Sequence, residues 1–347
     1  MLDPDAILAG DRRALARLLT QVENGSPEAE AVLPALFRHT GRASLIGFTG
    51  PPGSGKSSLV NELAKLYRRG LPGSRPPATV AIVAVDPSSP FTGGAILGDR
   101  IRMRDLAGDP GVFIRSMASR GALGGLARAT ADVVTALDAA GFEKVLVETV
   151  GAGQTEVEIA RAVHTTVVVE APGLGDDVQA IKAGLLEVAD ILVVNKADQP
   201  GADAAVRALR ASLDLAAPAA RSWAAGGHSP GHAARPLTRP AAPTPAAAAE
   251  GWDTPILRTV AVQGTGIEEL AAVLDQHAYF LETGGGRQRR DRERLEHELE
   301  LRLRDRLLAG LRQRLGEDAL RVAVDRLVAR ETDPATAARE LAGQLAG

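Results

Sequence analysis

The stretch Gly50-Pro51-Pro52-Gly53-Ser54-Gly55-Lys56-Ser57 constrains this chain more than any other. It follows the apolar run Leu45 to Thr49 and opens a segment, Ser57 to Tyr67, whose apolar residues recur at helical spacing. G-x-x-x-x-G-K-S/T between a strand and a helix is a phosphate-binding loop. Backbone amides of such a loop surround an anion, and the positive end of the helix dipole lies behind it.

The rest of the chain supplies the sheet that this loop requires. Leu45 to Thr49, Thr79 to Val85, Val112 to Ile114, Lys144 to Glu148, Thr165 to Val169, Ile191 to Val194 and Ile256 to Val260 are β-rich runs separated by helical segments. Several are apolar nearly throughout, as strands covered on both faces of a mainly parallel sheet are. The expected fold class is therefore α/β, a doubly wound P-loop domain over residues 41–282. Ahead of it, residues 1–40 read as a helical extension, with one helix from Asp5 to Val22 and a second that starts at the Ser26-Pro27 cap and leads to Phe37.

Residues 216–251 form an Ala/Pro/Gly-rich insertion with Trp223 and Leu237 as its only large apolar residues before Gly251, too few to offset the entropy of ordering it. His228 and His232 within it have no third ligand nearby in sequence, so a metal pair is not expected. Residues 287–347 form a charged helical region with Leu295, Leu299, Leu303, Leu307 and Leu311 at i, i+4 spacing. Such a stripe must bury against something. Its spacing fits packing onto the same chain and fits a helical arm gripping a second subunit.

Lys56 is placed to reach the β- and γ-phosphates, and the Ser57 hydroxyl to ligate magnesium; Ser58 completes the loop. Asn195-Lys196-Ala197-Asp198 follows the run Ile191 to Val194, in the order expected after a P-loop. A carboxylate at Asp198 is matched by the adjacent N1 and N2 donors of guanine and not by adenine, so GTP and GDP are the expected nucleotides. Val260 and Ala261 are candidates for the loop that closes over the base through backbone amides. Between these motifs, the Gly- and Pro-rich segment from Asp86 to Arg102 carries Asp86 and Asp99, candidate magnesium-shell carboxylates in a switch. Asp99 also fits the N-cap of a helix.

Glu148 stands at a strand end where nucleotide hydrolases place an Asp, three residues before Gly151, whose amide is a candidate γ-phosphate contact. Ala152 occupies the place of a water-positioning glutamine, with Gln154 two residues further on as its candidate replacement. Only five of the 40 basic residues are lysines, Lys56, Lys65, Lys144, Lys182 and Lys196, and two of them fall in the nucleotide motifs. A net charge of −3 gives no basic field for a nucleic-acid partner. No run approaches the roughly 20 apolar residues of a membrane span. The acidic start is not that of a signal peptide. The absence of cysteine fits a cytoplasmic protein.

Together, Gly50 to Ser57, the Asp86 to Met103 segment with its Asp86-Pro87-Ser88-Ser89-Pro90-Phe91-Thr92-Gly93-Gly94, Glu148-Thr149-Val150-Gly151, and Asn195 to Asp198 closely resemble the MeaB/ArgK family of P-loop GTPases, over about residues 1–330. The resemblance implies a G-protein chaperone that gates adenosylcobalamin loading of an acyl-CoA mutase, chiefly methylmalonyl-CoA mutase, and protects or rescues it. It implies a C-terminal helical arm that makes a homodimer. It implies magnesium and γ-phosphate roles for Lys56, Asp86, Asp99 and Glu148, and a third mobile segment over Gly175 to Lys182, where Gln179 and Lys182 sense the partner or the nucleotide state. The insertion is longer than that family usually has. Two alternatives are a metal-insertion GTPase of the nickel-chaperone type, which needs Cys/His clusters that this chain lacks, and a transport-protein kinase, which needs a base and an acceptor pocket that the sequence does not show.

Overall fold

The computed structural model describes residues 2–71, 73, 75–87, 103–106, 108–119, 125–149, 155–173, 183–224 and 251–343. Their strands are β1 (Ser44–Thr49), β2 (Val80–Pro87), β3 (Val112–Ser119), β4 (Lys144–Thr149), β5 (Thr165–Glu170), β6 (Ile191–Val194) and β7 (Ile256–Arg258). They form one seven-stranded sheet in the order β3-β2-β4-β1-β5-β6-β7. Every pairing in it is parallel. Each run expected to be a strand contains one, with β7 ending at Arg258, two residues short of Val260; the central strands are apolar on both faces because both faces are covered.

Alternation divides the core. Leu45, Ala81, Val83, Val145 and Val147 pack on one side with the helices α1 (Pro4–Leu8), α2 (Arg12–Glu23), α3 (Pro27–Phe37) and a helix over Gly125–Ala139. Ile46, Phe48, Val80, Ile82, Leu146, Val167 and Val169 pack on the other with α4 (Lys56–Arg69) and a helix over Ile267–Thr283. The N-terminal helices thus belong to the hydrophobic core of the sheet and serve as one of its outer layers.

Two local boundaries differ from the sequence reading. Asp5 to Val22 is two helices, because Gly10 turns the chain at φ 83° and Asp11 then caps α2 by accepting from the amides of Arg13 and Ala14. The helix over Ala202–Ala224 runs past Ala216, where the insertion was expected to begin. Alanine is the best helix former, and the Ala-rich start of that stretch continues the helix. Residues 225–250 lie outside the described residues.

A buried polar cluster ties the helix that starts at Gly286 to the amino ends of β5 and β6. Arg290 donates through Nη1 and Nη2 to the two carboxylate oxygens of Asp190, at 2.7 and 2.6 Å, and also to the carbonyl of His164. The same carboxylate accepts from the amide of Thr166. His277 lies 3.4 Å from Asp190 through Nε2, and Thr165 Oγ1 meets its Nδ1 at 2.9 Å. The Trp252 ring tilts against His277 at 4.7 Å. Desolvation lowers the His277 pKa from 6.5 to about 4, against the opposing pull of Asp190. The Leu45 amide donates to His164 Nδ1, which leaves Nε2 as the protonated nitrogen facing Asp291 at 3.1 Å. His164 is likewise lowered, chiefly by burial.

The chain divides into two compact units, Met1–Arg294 and Leu295–Gly347. The second consists of the remainder of the helix Gly286–Val328, broken at Gly316 (φ 71°, ψ 162°), and a helix over Pro334–Gly343. Ala323 and Ala337 are buried in it, and Arg326 pairs with Glu340 at 2.8 Å. Leu299, Leu303 and Leu307 are 57%, 51% and 72% exposed. Among the described residues no helix is long and apolar enough to cross a membrane.

Candidate functional site

The site lies at the carboxyl edge of the sheet, around the end of β1. This is where α4 and the helix after β4 leave toward opposite faces, the position at which doubly wound sheets bind ligands. The loop 50–55 leaves β1 and is shaped by close backbone approaches. Gly50 has φ 134°, and a Cβ there would lie 2.1 Å from the carbonyl oxygen of Val169 on β5. Gly55 has φ 90°, and its Cβ would lie 2.3 Å from Asn195 Nδ2. Neither position accepts a side chain, so both glycines of the motif are required by geometry as well as by ligand approach.

Lys56, 5% exposed, begins α4 and donates through Nζ to the carbonyls of Gly50 and Pro51, each at 2.8 Å. Its ammonium is therefore held over the loop. Ser57 and Ser58 lie in the first turn of the same helix, whose N-cap, Gly55, supplies no side-chain acceptor. Ser54 is fully buried, and its Oγ has no hydrogen-bond partner among the described residues. An orphaned buried hydroxyl inside a loop of anion-binding shape fits a phosphate ligand.

Asn195 joins the loop to the segments expected from the sequence to meet the base. Its Nδ2 donates to the Ser54 carbonyl at 2.9 Å, and its Oδ1 accepts from Thr259 Oγ1 at 3.0 Å and from the Ala261 amide at 3.1 Å. Lys196 follows at φ 56°, and the Ala197 amide donates to the Thr259 carbonyl. This turn leaves Asp198 exposed beyond the strand end, while Val260 and Ala261 are buried at 8% and 2%.

Register brings the expected acids to the same edge. Phe48 pairs with Glu148, and Glu148 with Ala84, so Glu148, one residue before the end of β4, lies between β1 and β2. It is 2% exposed. Alternation gives it the face of Leu146, the side on which α4 packs. Thr149 Oγ1 and Thr49 Oγ1 meet at 3.3 Å beside it. Asp86 stands one residue before the end of β2, opposite Ala118. Gln154, Gly151, Asp99, Gln179 and Lys182 lie outside the described residues. Among the described residues no group of three or more His, Cys, Asp or Glu forms a metal site. The Ser57 hydroxyl and the Glu148 carboxylate are oxygen donors of the kind magnesium takes, an ion that needs few protein ligands and completes its shell with phosphates and water.

One residue of this edge has no place in the sequence reading. Glu170 ends β5 next to the loop, its carbonyl accepts the Asn195 amide at 2.8 Å, and Oε1 accepts from the Ala171 amide at 3.3 Å. Burial raises its carboxyl pKa above the ordinary 4.5, and the charge of Lys56 opposes the rise. Its sequence signal is the one that marks Glu148, an acid directly after an apolar strand.

A sequence model of a family described as methylmalonyl Co-A mutase-associated GTPase MeaB matches residues 15–315. A protein of Pyrococcus abyssi described as a GTPase is 42% identical over 339 residues, covering 97% of this chain and 94% of its own length. A fused isobutyryl-CoA mutase of Cupriavidus metallidurans is 40% identical over 205 residues, which are 58% of this chain and 18% of that much longer protein. Among solved structures, one described as a LAO/AO transport system kinase matches with a TM-score of 0.66 and 26% identity, over 99% of this chain and 96% of that one. With its phosphate loop, its Asn-Lys-x-Asp turn and these matches, the chain belongs to the MeaB family and is a P-loop GTPase.

Proposed function

We propose that this GTPase is a chaperone of an adenosylcobalamin-dependent acyl-CoA mutase, most directly methylmalonyl-CoA mutase, and that its GTP cycle gates cofactor loading and protects or reactivates the mutase. The observation that carries this reading is the relative in which a 40% identical segment is part of one polypeptide with isobutyryl-CoA mutase. The family description, which associates these GTPases with methylmalonyl-CoA mutase, agrees with it.

In this reading the backbone amides of Gly53 to Ser57 hold the phosphates, Lys56 leaves the Gly50 and Pro51 carbonyls for the β- and γ-phosphate oxygens, and Asp198 selects guanine. Ser57, Asp86, Asp99 and Glu148 are the residues that would hold magnesium, directly or through water, and the ion would supply charge neutralisation of the phosphates. GTP would act through differential contacts, those that its γ-phosphate makes with this chain and that GDP lacks. Ala152, in the place of a water-positioning glutamine, makes unaided hydrolysis slow, as suits a timer, and Gln154 is the candidate replacement. Gln179 and Lys182 belong to the surface that senses the partner. The exposed Leu299, Leu303 and Leu307 are the face on which a second copy packs, so the working form is a homodimer.

The test is retrieval of bound proteins from the native cell extract on immobilised chain with GTP or with GDP, together with the fate of the γ-phosphate. A cobalamin-dependent mutase retained in either state, with release of inorganic phosphate, is the expected result. Transfer of the γ-phosphate to a protein would refute the chaperone reading in favour of a kinase.

A further inference from the structure

One buried polar contact of the nucleotide edge has no role in the GTPase reading, the hydroxyl pair of Thr49 and Thr149. Backbone pairing between β1 and β4 runs as far as Phe48 and Glu148. The next residue of each strand keeps its outer neighbour: Thr49 pairs with Val168 on β5, and Thr149 with Val85 on β2. Between these two residues the connection is made by side chains, Thr149 Oγ1 donating to Thr49 Oγ1 at 3.3 Å. Both are buried, at 0% and 3% exposed. Alternation puts them on the face of Gly47 and Val147, opposite the face of Glu148 and α4. On that face a Cβ at Gly47 would lie 3.0 Å from Val163 and 3.1 Å from Ile159, so the helix over Thr155–Ala162 is seated directly on β1. Valine fills neighbouring positions of the same strands and of β5, at Val145, Val147, Val167 and Val168. A hydroxyl among them costs free energy unless it is bonded, and each threonine supplies the other's partner. The pair stands between Gly50, which follows Thr49, and Glu148, which precedes Thr149.

We propose that Thr49 and Thr149 are positioning residues for GTP hydrolysis: bonded to each other, their hydroxyls hold Glu148 in a fixed relation to the phosphate loop. In a parallel sheet the ladder bonds set the spacing of neighbouring strands, and here the ladder between β1 and β4 stops one residue before the loop begins. Without the hydroxyl bond, Thr49 follows β5 through Val168, and Thr149 follows β2 through Val85. The phosphate loop and Glu148 are then fastened to different neighbours, and packing alone sets their separation. The loss falls on the chemical step, because a small misplacement of a group that acts at the γ-phosphate slows turnover. GDP, which the loop and the turn at Asn195 to Asp198 would hold, does not feel it. The inference rests on the reading of Glu148 as a group that acts at the γ-phosphate end of the nucleotide.

Single-turnover GTP hydrolysis and GDP affinity are measured for the intact chain, Thr49→Val, Thr149→Val, the double valine variant, Thr149→Ser and Glu148→Ala. Valine keeps the shape of threonine and removes the hydroxyl. Each single valine variant is expected to hydrolyse GTP about three- to tenfold more slowly, the effect of one neutral hydrogen bond, with GDP affinity unchanged. Thr149→Ser is expected to keep the intact rate, and the double variant to be no slower than either single one, as for two groups that act through one bond. Intact rates in both valine variants would overturn the proposal. So would a double variant whose loss is the product of the two single losses, or a serine variant as slow as the valine. A GDP affinity that falls in step with the rate would also overturn it, by showing that the hydroxyls serve the fold alone. Glu148→Ala separates the proposal from the reading beneath it. An unchanged rate in that variant overturns both, whereas a loss there with none in the valine variants overturns only the hydroxyl pair.

Discussion

The side chain of Asn195 donates to the carbonyl of Ser54, 141 positions earlier in the chain, and accepts from Thr259 and Ala261 on its other side. One buried amide thus joins the phosphate loop, the turn at Asn195 to Asp198 and the segment from Thr259 to Ala261. Asn195→Ala leaves these groups without their partner. A loss of about 2–4 kcal/mol is expected, measured by urea unfolding, with weaker GTP and GDP binding together. Unchanged affinity for both nucleotides would show that the loop keeps its shape without the amide.

The charge roles at the site are separable. Lys56→Ala is expected to abolish tight GTP binding; retained affinity in a fluorescent-nucleotide titration would rule out its phosphate contact. Asp198→Asn replaces an acceptor by a donor and is expected to shift preference toward xanthine nucleotides. Undiminished selectivity for GTP over XTP would remove Asp198 from base recognition.

Gly50→Ala places a methyl group against the Val169 carbonyl in a backbone region that alanine avoids. Destabilisation of about 2 kcal/mol or more is expected, with loss of nucleotide binding. Thermal melts with and without GDP check it: the intact chain gains stability from GDP, and the variant is expected to gain little.

The cluster around Asp190 makes stability depend on pH. His277 is neutral in the fold and its pKa is lowered from 6.5 to about 4, so the unfolded chain binds the proton first as the pH drops. Its contribution is full above pH 6.5 and is lost as pH falls toward 4, by on the order of 3 kcal/mol. Urea unfolding at pH 7 and pH 4.5 is expected to show a smaller drop for His277→Gln than for the intact chain. Arg290→Ala leaves the Asp190 carboxylate buried without its bidentate partner, and a cost of about 3–5 kcal/mol is expected in the same assay.

Arg290 also decides where a truncation should be made. Removing residues 287–347 would take away the Asp190 clasp together with the arm, whereas removing 295–347 spares Arg290 and Asp291 and follows the division between the compact units. The shorter chain is expected to be a folded monomer by light scattering and to bind GDP. A dimer that persists would return the Leu295 to Leu311 stripe to packing within one chain.

The phosphate loop, the turn at Asn195 to Asp198 and all seven strands were legible in the sequence because each is encoded locally. Loop glycines report backbone conformations, and apolar runs report burial on two faces. The break at Gly10-Asp11 was written in a glycine followed by a cap residue, and the helical spacing on either side of it concealed the interruption. The arrangement of the buried polar groups is of another kind. Nothing near Asp190 in sequence indicates Arg290, His277 or Trp252, and nothing near Ser54 indicates Asn195. These partners meet only because β1, β5 and β6 are successive strands of the sheet and because the helix 267–283 and the first residues of the helix that starts at Gly286 return to their ends. The sequence by itself determined the strands and the phosphate loop between them. Tertiary structure decided what holds those residues in place, since a buried donor or acceptor must find its partner wherever strand order puts one.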